Sequence, residues 1–122
     1  PIDLPTQVTV KREDLIESVE RASVLIRGEK EPFIMLDVKP GKMVITANSE
    51  MGKIEETLVC ELNGKEIKTA MNFKYLLEAT KALTEENVVL SFNQPVSPFT
   101  MENEKEKEYQ YLIMPVRPGN NA

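Results

Sequence analysis

The chain has 122 residues, with 15 Lys and Arg against 20 Asp and Glu, which gives a formal net charge of −5. A chain of this length is expected to form one domain around a single buried core. The acidic balance argues against a domain whose whole surface grips nucleic acid, so any DNA contact should be local and weak. No stretch approaches the roughly 20 apolar residues that a membrane span needs, and we therefore expect no membrane partner.

The residue counts remove most kinds of catalysis. The chain has no His and one Cys, Cys60, so it cannot build a disulfide, a Cys/His zinc site or a His-dependent nucleophile pair. Its five glycines form no phosphate-binding motif, and its aspartates are far apart. We expect a binding or structural role, with no catalytic residue, no metal and no cofactor. A metal hydrolase built on clustered Glu carboxylates is the enzymatic alternative.

The first half of the chain predicts one helix and four strands. The predicted elements are a strand at 7–10, a helix with apolar residues at Leu15, Val19, Ala22 and Ile26, a helix stop at Gly28, strands at 33–38 and 42–47 around a turn at 39–41, and a strand at 54–62 before a turn at Asn63-Gly64. Cys60 alternates with the apolar Leu58 and Leu62, which favours a buried thiol over a reactive one.

The second half repeats this plan. The predicted elements are a strand at 66–71, a helix with Asn72 as N-cap and an apolar stripe at Phe73, Leu76, Leu77, Thr80 and Leu83, and strands at 88–92, 99–101 and 109–114. The charged run at 102–108 is predicted to be a solvated hairpin tip. Residues 7–62 and 66–116 therefore indicate an internal duplication, which gives an α+β domain with two helices packed against antiparallel sheets.

The chain boundaries lead to two further expectations. We expect one domain over residues 1–122, with an ordered core at about 6–117 and a frayed tail at 118–122. Because the chain begins at Pro1 without a Met or a signal sequence, we expect it to be a domain cut from a longer protein.

Several residues lie off the predicted buried stripes. At 100° per residue, Val24 points about 150° or more away from the first stripe, and Leu25 lies on its other flank. Tyr75 lies off the second stripe, and it should be partly exposed. An exposed apolar residue is often only a scattered surface residue, so these positions indicate either ordinary surface or an interface.

A ladder of charges follows the second helix. Lys74, Glu78 and Lys81 share a face, which is typical of a solvated helix surface. The alternative is that Lys74 and Lys81, with Arg21 of the first helix, form positive points that contact the phosphates of a passing polyanion.

The last predicted strand becomes apolar on both faces before Pro115, where we expect the strand pairing to stop. This pattern fits a strand that is buried on both sides, or one with a bare face. Together with the kink at 95–98 and with Tyr75, it favours an apolar, Met-lined groove that accepts linear peptides.

Three segments, Asn72–Leu77, Pro95–Phe99 and Tyr111–Arg117, closely resemble the C-terminal third of the bacterial sliding clamp, the beta processivity subunit of DNA polymerase III. The resemblance runs from about Val8 to Arg117. It is specific because the segments occur together and in order, whereas each one alone is a short pattern.

The resemblance implies a clamp fold with two pseudo-symmetric halves, in which the helices line the inside of a ring and the sheets form its outside. Each family chain has three such domains, and two chains form a head-to-tail homodimer that encircles duplex DNA without reading bases. The implied function is processivity of the replicative polymerase, with no catalytic step, in the cytoplasm at the nucleoid. A free-standing peptide-binding module without ring assembly is the alternative.

The resemblance also implies three sets of site residues. The peptide-binding groove, shared in the family with the middle domain, would recruit the polymerase III alpha subunit, clamp-loader subunits and repair polymerases through linear peptide motifs. Its residues here would be Asn72, Tyr75, Val96, Ser97, Pro98, Leu112, Ile113, Met114, Pro115, Val116 and Arg117. The dimer interface would use Val24, Leu25, Glu50 and Glu55, and the DNA-facing residues would be Arg21, Lys74 and Lys81.

Overall fold

The computed structural model describes residues 5–116, and in that range it has nine strands, two α-helices and one short 3₁₀ helix. The elements are β1 (Thr6–Lys11), α1 (Arg12–Ala22), the 3₁₀ helix (Ser23–Leu25), β2 (Phe33–Lys39), β3 (Lys42–Ser49), β4 (Gly52–Gly64), β5 (Ile67–Asn72), α2 (Phe73–Ala82), β6 (Asn87–Phe92), β7 (Phe99–Asn103), β8 (Gln110–Ile113) and β9 (Pro115–Val116). Within the described range, neither α-helix is long and apolar enough to cross a membrane.

The strands form an antiparallel sheet in the order β8-β7-β6-β1-β4-β3-β2-β5-β9. The long strand β4 pairs with β3 through Gly52–Val59 and with β1 through 60–64, so it joins the two parts of the sheet. Strands β8 and β9 form the two edges of the sheet, and in the chain they are separated only by Met114. The first and last strands of the sheet are therefore consecutive in the chain.

The predicted duplication is confirmed. The first half contains β1, α1, β2, β3 and β4, and the second contains β5, α2, β6, β7 and β8 with β9. The first strand of each half also pairs with a strand of the other half: β1 pairs with β6, and β5 pairs with β2. These pairings join the halves around one core. The two α-helices beside an antiparallel sheet confirm the α+β class.

Helix α1 buries Leu15, Val19 and Ala22 as its spacing predicts, but it ends earlier than expected. The α-helix stops at Ala22, and the chain tightens into the 3₁₀ helix before the buried Ile26. The hydroxyl of Ser23 donates to the carbonyl of Glu20 at 2.9 Å, and the Ile26 N–H donates to the Ser23 carbonyl at 3.0 Å. These local bonds satisfy the helix end and replace a further α-turn.

Helix α2 is held at both ends. At its start, the Asn72 side chain accepts a 2.8 Å hydrogen bond from the Lys74 N–H, as expected of an N-cap. At its end, the Arg12 guanidinium donates to three main-chain carbonyls, with the distances 3.1 Å to Thr80, 3.0 Å to Lys81 and 2.6 Å to Leu83. Arg12 begins α1, so it ties the start of one helix to the end of the other.

The buried stripe of α2 differs slightly from the prediction. Phe73, Leu76, Thr80 and Leu83 are buried, but Leu77 is only partly buried and Ala79 takes its place in the core. Elsewhere, Cys60 is buried as predicted, and burial raises the pKa of its thiol.

The charged run at 102–108 is only partly the solvated tip that was predicted. Glu102 and Asn103 belong to β7 and are buried. The Asn103 side-chain oxygen accepts from the backbone N–H groups of Thr84 and Glu85, at 3.1 and 3.0 Å. The prediction is wrong for these two residues because the Asn103 side chain bonds to the loop after α2, and the Glu102 carboxylate contacts Gln110 and Lys107. Sequence periodicity does not encode these contacts.

Pro115 does not end strand pairing as expected, since it lies in β9 opposite Met71 of β5. Only its partner strand changes, because the chain crosses from one edge of the sheet to the other. Gly64 has a positive φ of 101°, and a Cβ atom there would overlap the carbonyl of Pro5, so the turn predicted at this position requires glycine.

Candidate functional site

An apolar cleft of about 500 Å³ lies between α2 and β8. Its lining residues are Tyr75, Glu78, Ala79, Ala82, Tyr111, Leu112, Ile113 and Met114. All but Glu78 present carbon-rich side chains, so the cleft is suited to apolar groups and has one carboxylate at its wall.

The cleft exposes large apolar side chains to solvent. Tyr75 is 58% exposed, Leu112 is 64% exposed and Met114 is 60% exposed, while Ile113 points into the core opposite Phe99 of β7. Of the two alternatives for the last strand, the bare face is therefore the one observed. Clustered exposed apolar residues are typical of a surface that binds a partner.

Four of the eleven predicted groove residues line this cleft: Tyr75, Leu112, Ile113 and Met114. The prediction missed Glu78, Ala79, Ala82 and Tyr111. The helical spacing contained a signal for three of them, because positions 75, 78, 79 and 82 lie on one side of a helix and the alanines leave room beside Tyr75. Tyr111 could be found only from the packing of β8 beside α2.

The loop at 95–98 and strand β9 do not line the cleft, but both are attached to β5. The Thr69 hydroxyl donates to the Pro95 carbonyl at 2.5 Å, and the next residue, Ala70, pairs with Val116. Val96 and Pro98 are exposed, Ser97 is partly buried, and Pro115 and Val116 are partly buried. The structure thus brings the loop and β9 to one strand, and Met114 connects β9 to the cleft.

Asn72 and Arg117 stand apart from the other predicted groove residues. The Asn72 side chain caps α2, so its observed contact is structural. Arg117 lies outside the described residues.

The two halves differ at equivalent positions. Ala82 is the tenth residue of α2, and the tenth residue of α1 is Arg21. Tyr111 precedes the buried Ile113 by two residues, as Glu56 precedes the buried Leu58. The Arg21 Nε and the Glu56 Oε1 are 3.0 Å apart. The first half therefore has an ion pair at the positions where Ala82 and Tyr111 form the apolar wall of the cleft in the second half.

A second surface combines the 3₁₀ helix with the β3–β4 turn. Val24 is 60% exposed, which confirms its predicted outward direction, and Leu25 is partly buried. Leu25 Cδ1 lies 3.9 Å from where a Cβ of Gly52 would be, which places the turn beside the 3₁₀ helix. The turn carries Glu50 and a highly exposed Met51, an apolar residue that the sequence prediction missed.

Glu55 lies farther along β4, where its carboxylate is 3.8 Å from the Lys53 ammonium. This predicted interface residue is exposed, and within the domain its carboxylate lies near the ammonium group of Lys53.

The third surface is the solvent-exposed face of the two helices, on the side away from the sheet. The Lys81 ammonium of α2 lies 3.1 Å from the Glu20 carboxylate of α1, so the helices are neighbours on the same side of the sheet. Arg21 lies near this pair in the chain, and Lys74 is exposed in the first turn of α2. The structure places all three predicted DNA-facing residues on the helices.

Residues 1–117 match the family described as DNA polymerase III beta subunit, C-terminal domain. The chain is 31% identical over 120 residues to the beta sliding clamp of Bacillus subtilis, a match that covers 96% of this chain and 32% of that protein. It is 32% identical over 120 residues to the beta sliding clamp of Streptococcus pneumoniae serotype 4, with the same coverage.

Solved structures agree. The crystal structure of the B. subtilis sliding clamp has a TM-score of 0.90 at 31% identity, over 96% of this chain and 32% of that one. The Thermotoga maritima beta subunit has a TM-score of 0.91 at 24% identity over the same shares, a likeness in fold. The chain spans about a third of the length of the relatives it matches. It belongs to the DNA polymerase III beta subunit family and corresponds to the C-terminal domain.

Proposed function

We propose that this domain is the third domain of a bacterial sliding clamp, a non-catalytic ring that encircles duplex DNA and keeps the replicative polymerase on its template. The proposal is carried by the match of residues 1–117 to the family together with the fold, which has a TM-score of 0.90 to the B. subtilis sliding clamp. The working protein is then a head-to-tail homodimer of three-domain chains, located in the cytoplasm at the nucleoid.

The cleft between α2 and β8 is proposed to be part of the peptide-binding groove. Its exposed Tyr75, Leu112 and Met114 supply apolar surface for the side chains of a linear peptide. The polymerase alpha subunit, the clamp loader and repair polymerases are the proposed owners of such peptides. The loop at 95–98, β9 and Arg117 would extend the groove, and the middle domain would complete it.

The surface of Val24, Leu25 and Met51 is proposed to contact the first domain of the other subunit. It exposes the apolar side chains of Val24 and Met51, and the same turn carries the exposed carboxylate of Glu50. Apolar and charged residues of this kind are typical of the core and the rim of an interface. A free-standing peptide-binding module would have no use for this surface. Charged substitutions at Val24 and Leu25 should therefore disrupt the ring in the longer protein, whereas a free-standing module would tolerate them.

The peptide proposal can be tested by titrating the chain with a Gln-Leu-x-Leu-Phe peptide, followed by NMR shifts or calorimetry. Because burying a Met side chain is worth about 1.5–3 kcal/mol, Met114→Ala should weaken binding by roughly tenfold or more. Val59→Ala is the matched control, since Val59 is an exposed apolar residue at the equivalent position of β4, next after the buried Leu58. Its affinity should equal that of the unmodified chain.

Equal affinity in the Met114→Ala and Val59→Ala variants would refute this location for the groove. An absence of binding, repeated in a longer chain that also contains the middle domain, would refute peptide recruitment itself.

The ring is tested separately with the longer protein. After loading, it should stay on closed circular DNA and leave once the circle is cut, because a topological link needs no tight contact. Loss from intact circles would contradict the ring.

A further inference from the structure

Two of the three cations proposed to face DNA already have carboxylate partners within the domain. The Arg21 Nε lies 3.0 Å from Glu56 Oε1, and the Lys81 Nζ lies 3.1 Å from Glu20 Oε2. For Lys74, no carboxylate oxygen lies within 4 Å in the part of the chain that the structure describes. Of these three cations, Lys74 is therefore the one that has no carboxylate partner among the described residues.

The fold determines the positions of the Glu20 and Glu56 carboxylates. Glu20 and Lys81 occupy the ninth position of α1 and of α2, so the internal duplication brings equivalent positions together and the sequence places opposite charges there. The Glu56 side chain is 20% exposed and is held on β4, whereas the side chain of its partner Arg21 is 58% exposed. The carboxylate therefore lies on the less exposed side of the pair and the cation on the more exposed side.

We propose that Glu20 and Glu56 limit the grip of this domain on DNA by neutralising the cations that would otherwise contact phosphates. The inference rests on the proposed clamp function and specifies how its DNA-facing surface works. An exposed ion pair contributes little to stability. A phosphate can therefore replace the carboxylate, but the exchange gains little. A paired cation also attracts fewer counterions and phosphates, which suits a surface that must pass along DNA without holding it.

The salt dependence of DNA binding measures this effect directly. Each phosphate that a protein cation neutralises adds about 0.9 to the slope of log affinity against log salt concentration. With Lys74 as its unpaired cation, the helical face should contribute a slope of about 0.9. Removing both carboxylates should add two contacts, or about 1.8 to the slope.

The experiment is a fluorescence anisotropy titration of a labelled short duplex with this chain at several salt concentrations. Glu20→Gln/Glu56→Gln should bind more tightly at low salt, and a fourfold rise in salt should weaken it about tenfold more than the unmodified chain. Glu61→Gln/Glu66→Gln is the matched control, because it changes two exposed carboxylates away from the helices and gives the same net charge. It should leave the slope unchanged.

The single variant Glu20→Gln, with a slope gain of about 0.9, provides an independent test if the double variant loses its helical circular dichroism. Adding Arg21→Gln and Lys81→Gln to the double variant should remove the gain.

Two results would overturn the inference: an unchanged slope in the Glu20 and Glu56 variants, or an equal increase in the Glu61/Glu66 control. Either result leaves the ring untouched if the longer protein still stays on closed circles. Release from intact circles would instead remove the proposed function on which the inference rests.

Discussion

Replacing Arg12 with Ala should lower the free energy of unfolding by about 2–4 kcal/mol. Its guanidinium donates to the carbonyls of Thr80, Lys81 and Leu83, which the end of α2 leaves without helical partners. The substitution removes these three hydrogen bonds and leaves the three carbonyls at the end of α2 without their side-chain donor. It also loosens the contact between α1 and α2.

The magnitude follows from the three bonds. A hydrogen bond to a charged group contributes about 1.5–3 kcal/mol net, but one partly buried guanidinium makes all three and solvent replaces part of the loss. The total is therefore well below three times that value. Arg12→Lys keeps a positive charge near the end of the helix, worth about 0.3–1 kcal/mol, but it loses the planar fork.

Urea unfolding, followed by far-ultraviolet circular dichroism, measures the effect. The expected order of stability is the unmodified chain, then Arg12→Lys, then Arg12→Ala, with equal m-values. Arg21→Ala is the control, because its exposed ion pair with Glu56 should contribute at most about 1 kcal/mol. The reasoning is refuted if Arg12→Ala and Arg21→Ala cost the same, or if Arg12→Lys is as stable as the unmodified chain.

Three further outcomes are expected. Gly64→Ala should cost about 3 kcal/mol or more because its Cβ would meet main chain at a positive φ, whereas Gly28→Ala has open space; equal urea midpoints would contradict this. Asn72→Ala should cost about 1 kcal/mol of unfolding free energy by removing the cap of α2, and a neutral effect would contradict the cap. The backbone N–H of Lys105 donates to Glu85 and lowers the pKa of that carboxyl below its ordinary value. The bond therefore stabilises the fold above the ordinary pKa, and this contribution is lost as the pH falls through the lowered pKa. The amide shift of Lys105 should follow this titration by NMR and lose it in Glu85→Gln; an unchanged titration would contradict the bond.

Local pattern was a good guide where one element carried the signal. The spacing of Leu15, Val19 and Ala22 predicted the buried face of α1, and Asn72 was identified as the cap of α2. Both depend on residues within a few positions of one another. The exposure of Val24 and Tyr75 followed from the same helical arithmetic.

The predictions failed where a residue is satisfied from a distance. Asn103 lies in a charged run that looked solvated, yet its side chain holds the loop at residues 84 and 85. No sequence pattern indicated the role of Arg12, because the three carbonyls that accept its hydrogen bonds lie 68–71 residues away in the chain. Met51 joined the surface of Val24 only because a hairpin turn folds back beside the 3₁₀ helix.

The sequence by itself determined the two α-helices, the strands β1 to β8, the duplicated order of the halves and most of the buried faces, because hydrophobic spacing and turn residues act over short distances. Only the tertiary structure decided that β1 and β5 each also pair with a strand of the other half. It also decided that Arg21 meets Glu56 in one half, whereas Ala82 and Tyr111 border a cleft in the other. Both depend on which strand lies beside which helix, and burial of apolar surface over the whole domain sets that choice.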